Sequence, residues 1–478
     1  MLQATNPWWR TPTGWEAADP DLSKLAAAHL RNYRPMVLEG ISPSALYLLR
    51  GPRRVGKTVV MKHAIQNLIA QGVNPRAIVY VACDMFSRDD LQRVIQVGRD
   101  IATRSVGDGS RYWFLDEITS VPKGWAGTIK HLRDRSGFGE DCLVLTGSSA
   151  RSLRDATKEL AGRRRAPQAD TDRLLLPMTF RAFCRAIGAA TDAPALPMLS
   201  VTDLRGSPLT HAVDTLLPWL DELANSWELY LAIGGFPGAV EDYLETGAVG
   251  DTVRDDLFQV AYGGAIRERS TFRFDQMTTL LGHLSLGLGN PLNLRRIAAA
   301  IGAEGHTVVA DRLGDFLLAY LLVECPPMEM DLQTEVLSGM KKWYCVDPLL
   351  SRLPHLRDPT LWAAPDPSVL SEQQVGVALL RQREYHRSGS FLDHNLFYVK
   401  TTTRKEVDFV APWMDGIAIE GKYVDTGLMR ESATLRAQVA SGRFSAGVIA
   451  TRAVVADLAP RVAAVPAAML AWLLEPPQ

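Results

Sequence analysis

The chain has 478 residues, too many for one hydrophobic core, and its 47% hydrophobic and 22% charged residues exclude a disordered chain. Lys and Arg (52) nearly balance Asp and Glu (53), giving a formal net charge of −1, so a global basic field for nucleic acid is excluded and any such binding needs a local patch. The cysteines, Cys83, Cys142, Cys184, Cys325 and Cys345, are five, far apart and without a C-x-x-C pair, which argues against a zinc site or a disulfide framework and fits a reducing cytoplasm.

The N-terminal residues lack the basic-then-apolar pattern of a secretion signal, and no run of about 18 apolar residues offers a membrane span. Asn6-Pro7-Trp8-Trp9 brings two tryptophans together, a pair that packs domains against each other more often than it stacks a base. Residues 22–33 read as a helix.

Residues 45–49 form an apolar run that reads as a buried strand. Gly51-Pro52-Arg53-Arg54-Val55-Gly56-Lys57-Thr58 follows, in the form G-x-x-x-x-G-K-[ST], and then an amphipathic helical stretch, 59–69. Strand, Gly-rich loop and helix in this order make a phosphate-binding loop. Gly51 and Gly56 let the backbone wrap a phosphate, and the loop N–H groups and helix N-terminus face the anion. Lys57 reaches the β- and γ-phosphates of ATP, and Thr58 offers its hydroxyl to Mg²⁺.

A second buried parallel strand is expected at 77–82, and a charged helix at 89–104. The apolar run 112–115 ends in Asp116-Glu117, the Walker B form. Asp116 is expected to hold Mg²⁺, and Glu117 to orient and activate the attacking water. The next strand, 142–145, leads into Thr146, Ser148 and Ser149, any of which can report on a γ-phosphate; Ser148 is the first choice, and a helix N-cap is the plainer role. In the basic cluster at 163–165, Arg163 is the candidate for stabilising transition-state charge, in its own chain or in a neighbouring subunit; a solvated or nucleic-acid-facing patch is the other reading. A last core strand is expected at 174–177 and a helix at 179–187.

Residues 188–215 read as a connector, and 219–287 as a helical lid interrupted at Gly234-Gly235-Phe236-Pro237. Residues 290–345 fit a winged helix, with wing strands at 321–330 and 341–346. Its second helix carries Asp311 and Asp315, which suits packing or oligomer contact better than DNA phosphates.

From about residue 348 a helix bearing Glu372 precedes strands at 396–400, 406–410 and 417–423, a helix at 429–441 and a strand at 446–450. Asp408 and Glu420-Gly421-Lys422 fit D…(D/E)-x-K. Glu420 and Lys422 share a strand face. Two acids bind Mg²⁺ or Mn²⁺, the lysine offsets charge on a phosphodiester transition state, Glu372 can complete the metal site, and Gln438 is a polar accessory. A solvated hairpin with ordinary cross-strand charge pairs is the plainer alternative.

Taken in order, Asn-Pro-Trp-Trp (6–9), the phosphate loop (51–58), Phe-Leu-Asp-Glu-Ile (114–118), Leu-Thr-Gly-Ser-Ser-Ala (145–150), Ala-Gly-Arg-Arg (161–164), Gly-Gly-Phe-Pro (234–237), Glu-Val-Asp-Phe-Val (406–410) and Glu-Gly-Lys (420–422) resemble the prokaryotic AAA+-like P-loop ATPases with a C-terminal restriction-endonuclease-like domain. Gly421 departs from the usual Glu-Val-Lys. The resemblance implies an α/β fold: a P-loop NTPase (AAA+-like) core at 1–190, a helical lid at 191–289, a winged helix at 290–346 and a restriction-endonuclease-like α/β domain at 347–478. It implies an ATP hydrolase, a motor or switch acting on DNA, with Mg²⁺ at the ATP site. A second Mg²⁺ or Mn²⁺ would serve a C-terminal domain that either cuts DNA or binds it. The alternative is a regulatory ATPase whose nuclease-like domain is an inactive binding or oligomerisation module. Nucleotide, DNA and further copies of the chain are the expected partners; a membrane is not.

Overall fold

The structure, a computed structural model, describes residues 2–107, 109–135, 138–147, 150–164, 171–194, 196–262, 273–329, 331–332, 334–336, 339–393, 395–401 and 405–476. The chain forms two compact units: residues up to Leu176 together with Arg387–Gly389, and Pro177–His386 together with Ser390 onward.

The first unit is built on a five-stranded sheet. Its strands are β1 (Leu46–Arg50), β2 (Ile78–Ala82), β3 (Tyr112–Asp116), β4 (Cys142–Thr146) and β5 (Asp172–Leu174), in the order β2-β3-β4-β1-β5. Every pairing is parallel. β1, β3 and β4 are buried along their whole length, which is why they read as unbroken apolar runs rather than alternating ones. β4 lies between the strand that feeds the phosphate loop and the strand that ends in Asp116. The helix Lys57–Ala70 follows β1, and Arg88–Val106 follows β2, opened by a capping box of Ser87 with Asp90. β5 begins two residues before the expected strand, and the helix expected at 22–33 is broken at Ala28, whose backbone is extended.

The N-terminus closes the β2 edge of this sheet. The Asn6 side chain donates to Tyr80 O (3.0 Å) and accepts from Tyr80 N (2.6 Å), as a neighbouring strand's peptide would. Trp8 and Trp9 both donate their indole N–H to Ile78 O, at 3.1 and 2.8 Å. Both rings are buried, so the pair serves packing and an otherwise open strand edge.

The stretches expected as lid, winged helix and C-terminal domain fall together in the second compact unit. The Trp227 indole donates to Ser371 Oγ (3.1 Å), the Phe180 N–H to Glu475 Oε2 (2.6 Å), and the Leu199 N–H to Leu473 O (2.8 Å). The helix Phe180–Ile187, expected in the ATPase core, belongs to this unit, and the expected connector holds a helix, Gly206–Leu216. The Gly-Gly-Phe-Pro stretch has a packing reason. Gly234 has φ +80°, and a Cβ there would lie 2.2 Å from Asp347 Oδ1; one on Gly235 would lie 2.5 Å from Met178 O. Asp347 accepts from Gly235 N and from Leu349 N, which caps the helix Pro348–Arg357.

The helices Leu294–Ala300 and His306–Leu318 are followed by an antiparallel pair, β6 (Leu322–Cys325) with β8 (Lys342–Cys345). The expected first wing strand is divided: β7 (Pro327–Met328) leaves the pair and joins a seven-stranded sheet. That sheet also holds β9 (Phe397–Lys400), β10 (Glu406–Val410), β11 (Ile417–Gly421), β12 (Ala446–Thr451), β13 (Ala456–Ala459) and β14 (Val462–Pro466), in the order β13-β14-β12-β11-β10-β9-β7. Its helices are Pro367–His386, Ala433–Ala440 and Ala467–Leu474. No helix among the described residues is long and apolar enough to cross a membrane.

Candidate functional site

Parallel pairing points the C-terminal ends of β1, β3 and β4 the same way, so the loop after Arg50, the Asp116-Glu117 pair and Thr146 gather at one end of the sheet. Gly51 has φ +144°, and a Cβ there would sit 1.9 Å from Leu175 O, so only glycine lets β1 turn into the loop. Gly56, at φ +94°, ends the loop and precedes Lys57–Ala70 with no side-chain cap. The first N–H groups of that helix therefore point into the loop without a side chain to satisfy them, as an anion site requires.

Lys57 is buried and donates from Nζ to Gly51 O (3.0 Å) and Pro52 O (2.7 Å). Burial lowers its ammonium to about 8, against the opposing pull of Glu117 and Asp116. Thr58 Oγ1 donates to Asp116 Oδ2 (2.7 Å), which brings together the two oxygen groups expected to hold Mg²⁺. Tyr80, which the sequence did not single out, also donates to Asp116 Oδ2 (2.9 Å), and the Glu117 N–H bonds Oδ1 (3.1 Å). Burial raises Asp116, and the Thr58 and Tyr80 hydrogen bonds oppose the rise. Glu117 sits in the left-handed region (φ +51°), an arrangement that costs about 1–3 kcal/mol for a non-glycine residue. The backbone turns out of the strand at this residue.

The residues fit a nucleotide and its cation: a glycine cradle that a Cβ would fill, an uncapped helix start, a buried lysine and a hydroxyl–carboxylate pair. When bound, Mg²⁺ would be held by Thr58 and Asp116 and would offset phosphate charge. Lys57 should exchange the two loop carbonyls for phosphate oxygens and become fully protonated. Nucleotide binding is then expected to take up a fraction of a proton that grows from pH 7 to pH 8.5, because burial lowers the free lysine to about 8. Calorimetry in buffers of different ionisation enthalpy reads this directly, and uptake that fails to grow with pH would show that the lysine is already charged.

The sensor choice, Ser148, and its neighbour Ser149 lie outside the described residues. Thr146, the other candidate, pairs with Leu49 at the end of β4; it is fully buried, and its hydroxyl has no hydrogen-bond partner among the described residues. Arg163 is not brought to the phosphate loop of its own chain. Leu46 N, at the start of β1, bonds Arg164 O, so the backbone of Arg163 and Arg164 lies at the opposite end of a strand about 13 Å long. Arg163 pairs there with Asp134 (3.2 Å).

In the second unit Glu372, Asp408, Glu420 and Lys422 do converge. Lys422 Nζ lies 3.0 Å from Glu420 Oε1, and Asp408 Oδ2 accepts from Gly421 N (3.0 Å). On Gly421 a Cβ would meet the Glu372 side chain at 3.2 Å, so the departure from Glu-Val-Lys makes room for that helix. The sequence missed Lys342 on β8. Its Nζ lies 3.0 Å from Asp408 Oδ1, 3.2 Å from Glu406 Oε2 and 3.6 Å from Glu372 Oε1. Tyr344, two residues on, donates to Glu372 Oε1 (2.6 Å). Burial pushes the Glu372 and Glu420 carboxyls up to about 7. As it stands this cluster does not fit a divalent ion, because a lysine ammonium already bridges its carboxylates. Among the described residues no group of three or more His, Cys, Asp or Glu side chains is arranged to hold a metal. Gln438 lies on the helix Ala433–Ala440.

Fold and site together define a P-loop nucleotide-binding domain on the parallel sheet of the first unit. Residues 43–184 match a family described as an AAA domain, which supports this class, and residues 224–356 match a domain of unknown function (DUF8612). No curated protein matches the chain. Among solved structures, a Walker-type ATPase of Pyrococcus abyssi is 14% identical over 65% of this chain and 91% of its own, with a TM-score of 0.35. The Aeropyrum pernix Orc1 protein, solved in complex with DNA, is 15% identical over 74% of this chain and 97% of its own (TM-score 0.29). A single-residue variant of Thermotoga maritima RuvB is 15% identical over 63% of this chain and 87% of its own (TM-score 0.26).

Proposed function

We propose that the protein is an ATP hydrolase of the AAA type that acts as a motor or switch on DNA, and that its last segment is a nuclease-derived module that binds rather than cuts. The observation that carries the hydrolase reading is the 2.7 Å contact of Thr58 with Asp116 beneath an uncapped helix start, with Glu117 next in the chain. Lys57 and the loop hold the phosphates, Thr58 and Asp116 the cation, and Glu117 takes a proton from the attacking water. For the C-terminal module, the succession of Pro367–His386, β9, β10, β11, Ala433–Ala440 and β12 supports a restriction-endonuclease-like origin. Lys342 among its carboxylates favours binding over cleavage.

A regulatory ATPase that never touches DNA is the second reading. It is favoured by the helix His306–Leu318, where Asp315 already holds Arg312 at 2.9 Å. Labelled single- and double-stranded DNA, tested at low salt with Mg²⁺ or Mn²⁺ and with or without ATP, separates the readings. Wild type is expected to retard DNA without cutting it. Cleavage lost in Asp408→Ala would make the module a working nuclease, and ATP hydrolysis with neither retardation nor cleavage would leave the regulatory reading.

A further inference from the structure

Lys342 does not belong to the D…(D/E)-x-K pattern. It arrives on β8, where it pairs across the hairpin with Cys325, and its side chain is 1% exposed. Burial alone would lower its ammonium, but Asp408, Glu372 and Glu406 outweigh that and hold the charge firmly in place. The Tyr398 ring lies 5.3 Å from Nζ and covers the ammonium further.

The surrounding charges are apportioned around this lysine. Lys400 contacts the other oxygen of Glu406 (3.2 Å), and Lys422 contacts Glu420 (3.0 Å). Asp408 and Glu372 are left for Lys342 to balance. Its contacts of 3.0–3.6 Å are those of an ammonium, whereas Mg²⁺ needs oxygens at about 2.0–2.1 Å. One ligand atom is nonetheless left over. Glu420 is 2% exposed, and its Oε2 has no hydrogen-bond partner among the described residues.

We propose that Lys342 is the built-in cation of this cluster. It takes the position of a divalent ion, so that the native protein holds no metal there, and removal of the lysine charge turns the same carboxylates into a divalent-cation site. This goes beyond the ATPase reading and stands whether or not DNA is the substrate.

The test is Mn²⁺ binding to the nucleotide-free, full-length chain, read by the loss of the free-ion paramagnetic resonance signal. Asp408→Asn serves as the reference that cancels any ion held at Thr58 and Asp116. Wild type and Asp408→Asn are expected to bind alike. Lys342→Ala is expected to gain Mn²⁺ binding and to melt at a higher temperature with Mn²⁺ than without it, and Lys342→Ala/Asp408→Asn to lose both effects. Wild-type binding that disappears in Asp408→Asn would overturn the proposal, as would a Lys342→Ala protein with native circular dichroism and no added binding. Should Lys342→Ala fail to fold, the comparison of wild type with Asp408→Asn decides alone: equal binding upholds the proposal, and Asp408-dependent binding overturns it.

Discussion

Glu117→Gln is expected to bind ATP as wild type does and to hydrolyse it about 10²–10⁴-fold more slowly, the usual contribution of a positioned general base. The substitution keeps the shape of the side chain and removes only its ability to take a proton. Lys57 and Thr58 make their hydrogen bonds with Gly51, Pro52 and Asp116, and the substitution removes one of the two carboxylates that pull the Lys57 ammonium up. The left-handed backbone at Glu117 accepts glutamine at a similar cost. The chain should therefore accumulate in an ATP-bound state, visible as retained nucleotide after gel filtration beside a lost phosphate-release rate. Turnover above half the wild-type rate would remove Glu117 from the reaction and leave water activation to another group.

Trp8→Ala should lower the stability of the first unit by about 3–5 kcal/mol, the range for truncating a fully buried large aromatic. Trp8 is 1% exposed and meets Trp15 edge-on at 4.8 Å. Its indole N–H is satisfied by Ile78 O, which Trp9 also serves, so alanine leaves a void while that carbonyl keeps one donor. The cost is thus mainly lost packing. Asn6→Ala should cost less, about 1–3 kcal/mol, because it strips partners from the backbone of Tyr80 without opening a comparable void. Urea unfolding followed by tryptophan fluorescence orders the two. A Trp8→Ala midpoint within error of wild type would mean that the N-terminal segment is not part of the folded unit.

The nucleotide site was legible in the sequence because its parts are local. A strand, a glycine loop and a helix start lie within one short stretch, and Asp116-Glu117 announces itself by ending an apolar run. What sequence could not supply was the partner strand: Tyr80 reaches Asp116 only because β2 pairs with β3, placing Ala82 beside Asp116. The place of Arg163 was hidden for the converse reason. Its neighbours along the chain are basic and suit a catalytic arginine, yet the backbone bond of Arg164 to Leu46 carries the Arg163–Arg164 backbone to the far end of β1. In the second unit, Glu372, Asp408 and Glu420 were readable from motif order, whereas Lys342 belongs to a hairpin that was read as part of another domain. The Gly-Gly-Phe-Pro stretch shows the same blindness, since its glycines answer to Asp347 and Met178.

The helix Ala467–Leu474 is buried at all eight of its positions, and the residue after it, Glu475, accepts the backbone N–H of Phe180 across 295 residues of chain. Trp472 lies against Phe180 and beneath Arg181. At ~5–20 residues per second, roughly 15–60 s of synthesis separate the emergence of these two ends. The sheet of the first unit, whose last strand ends at Leu174, is made long before then and can close while the ribosome is still working; Arg387–Gly389 join that unit later. The second unit cannot close then: Phe180, Trp227 and Tyr230, which pack on one another, wait for the segment 467–475. During that interval an aromatic surface stands open to whatever protects nascent chains, and a stop codon shortly before residue 467 would strand it there. Truncation before Ala467 therefore withdraws part of the core of the second unit.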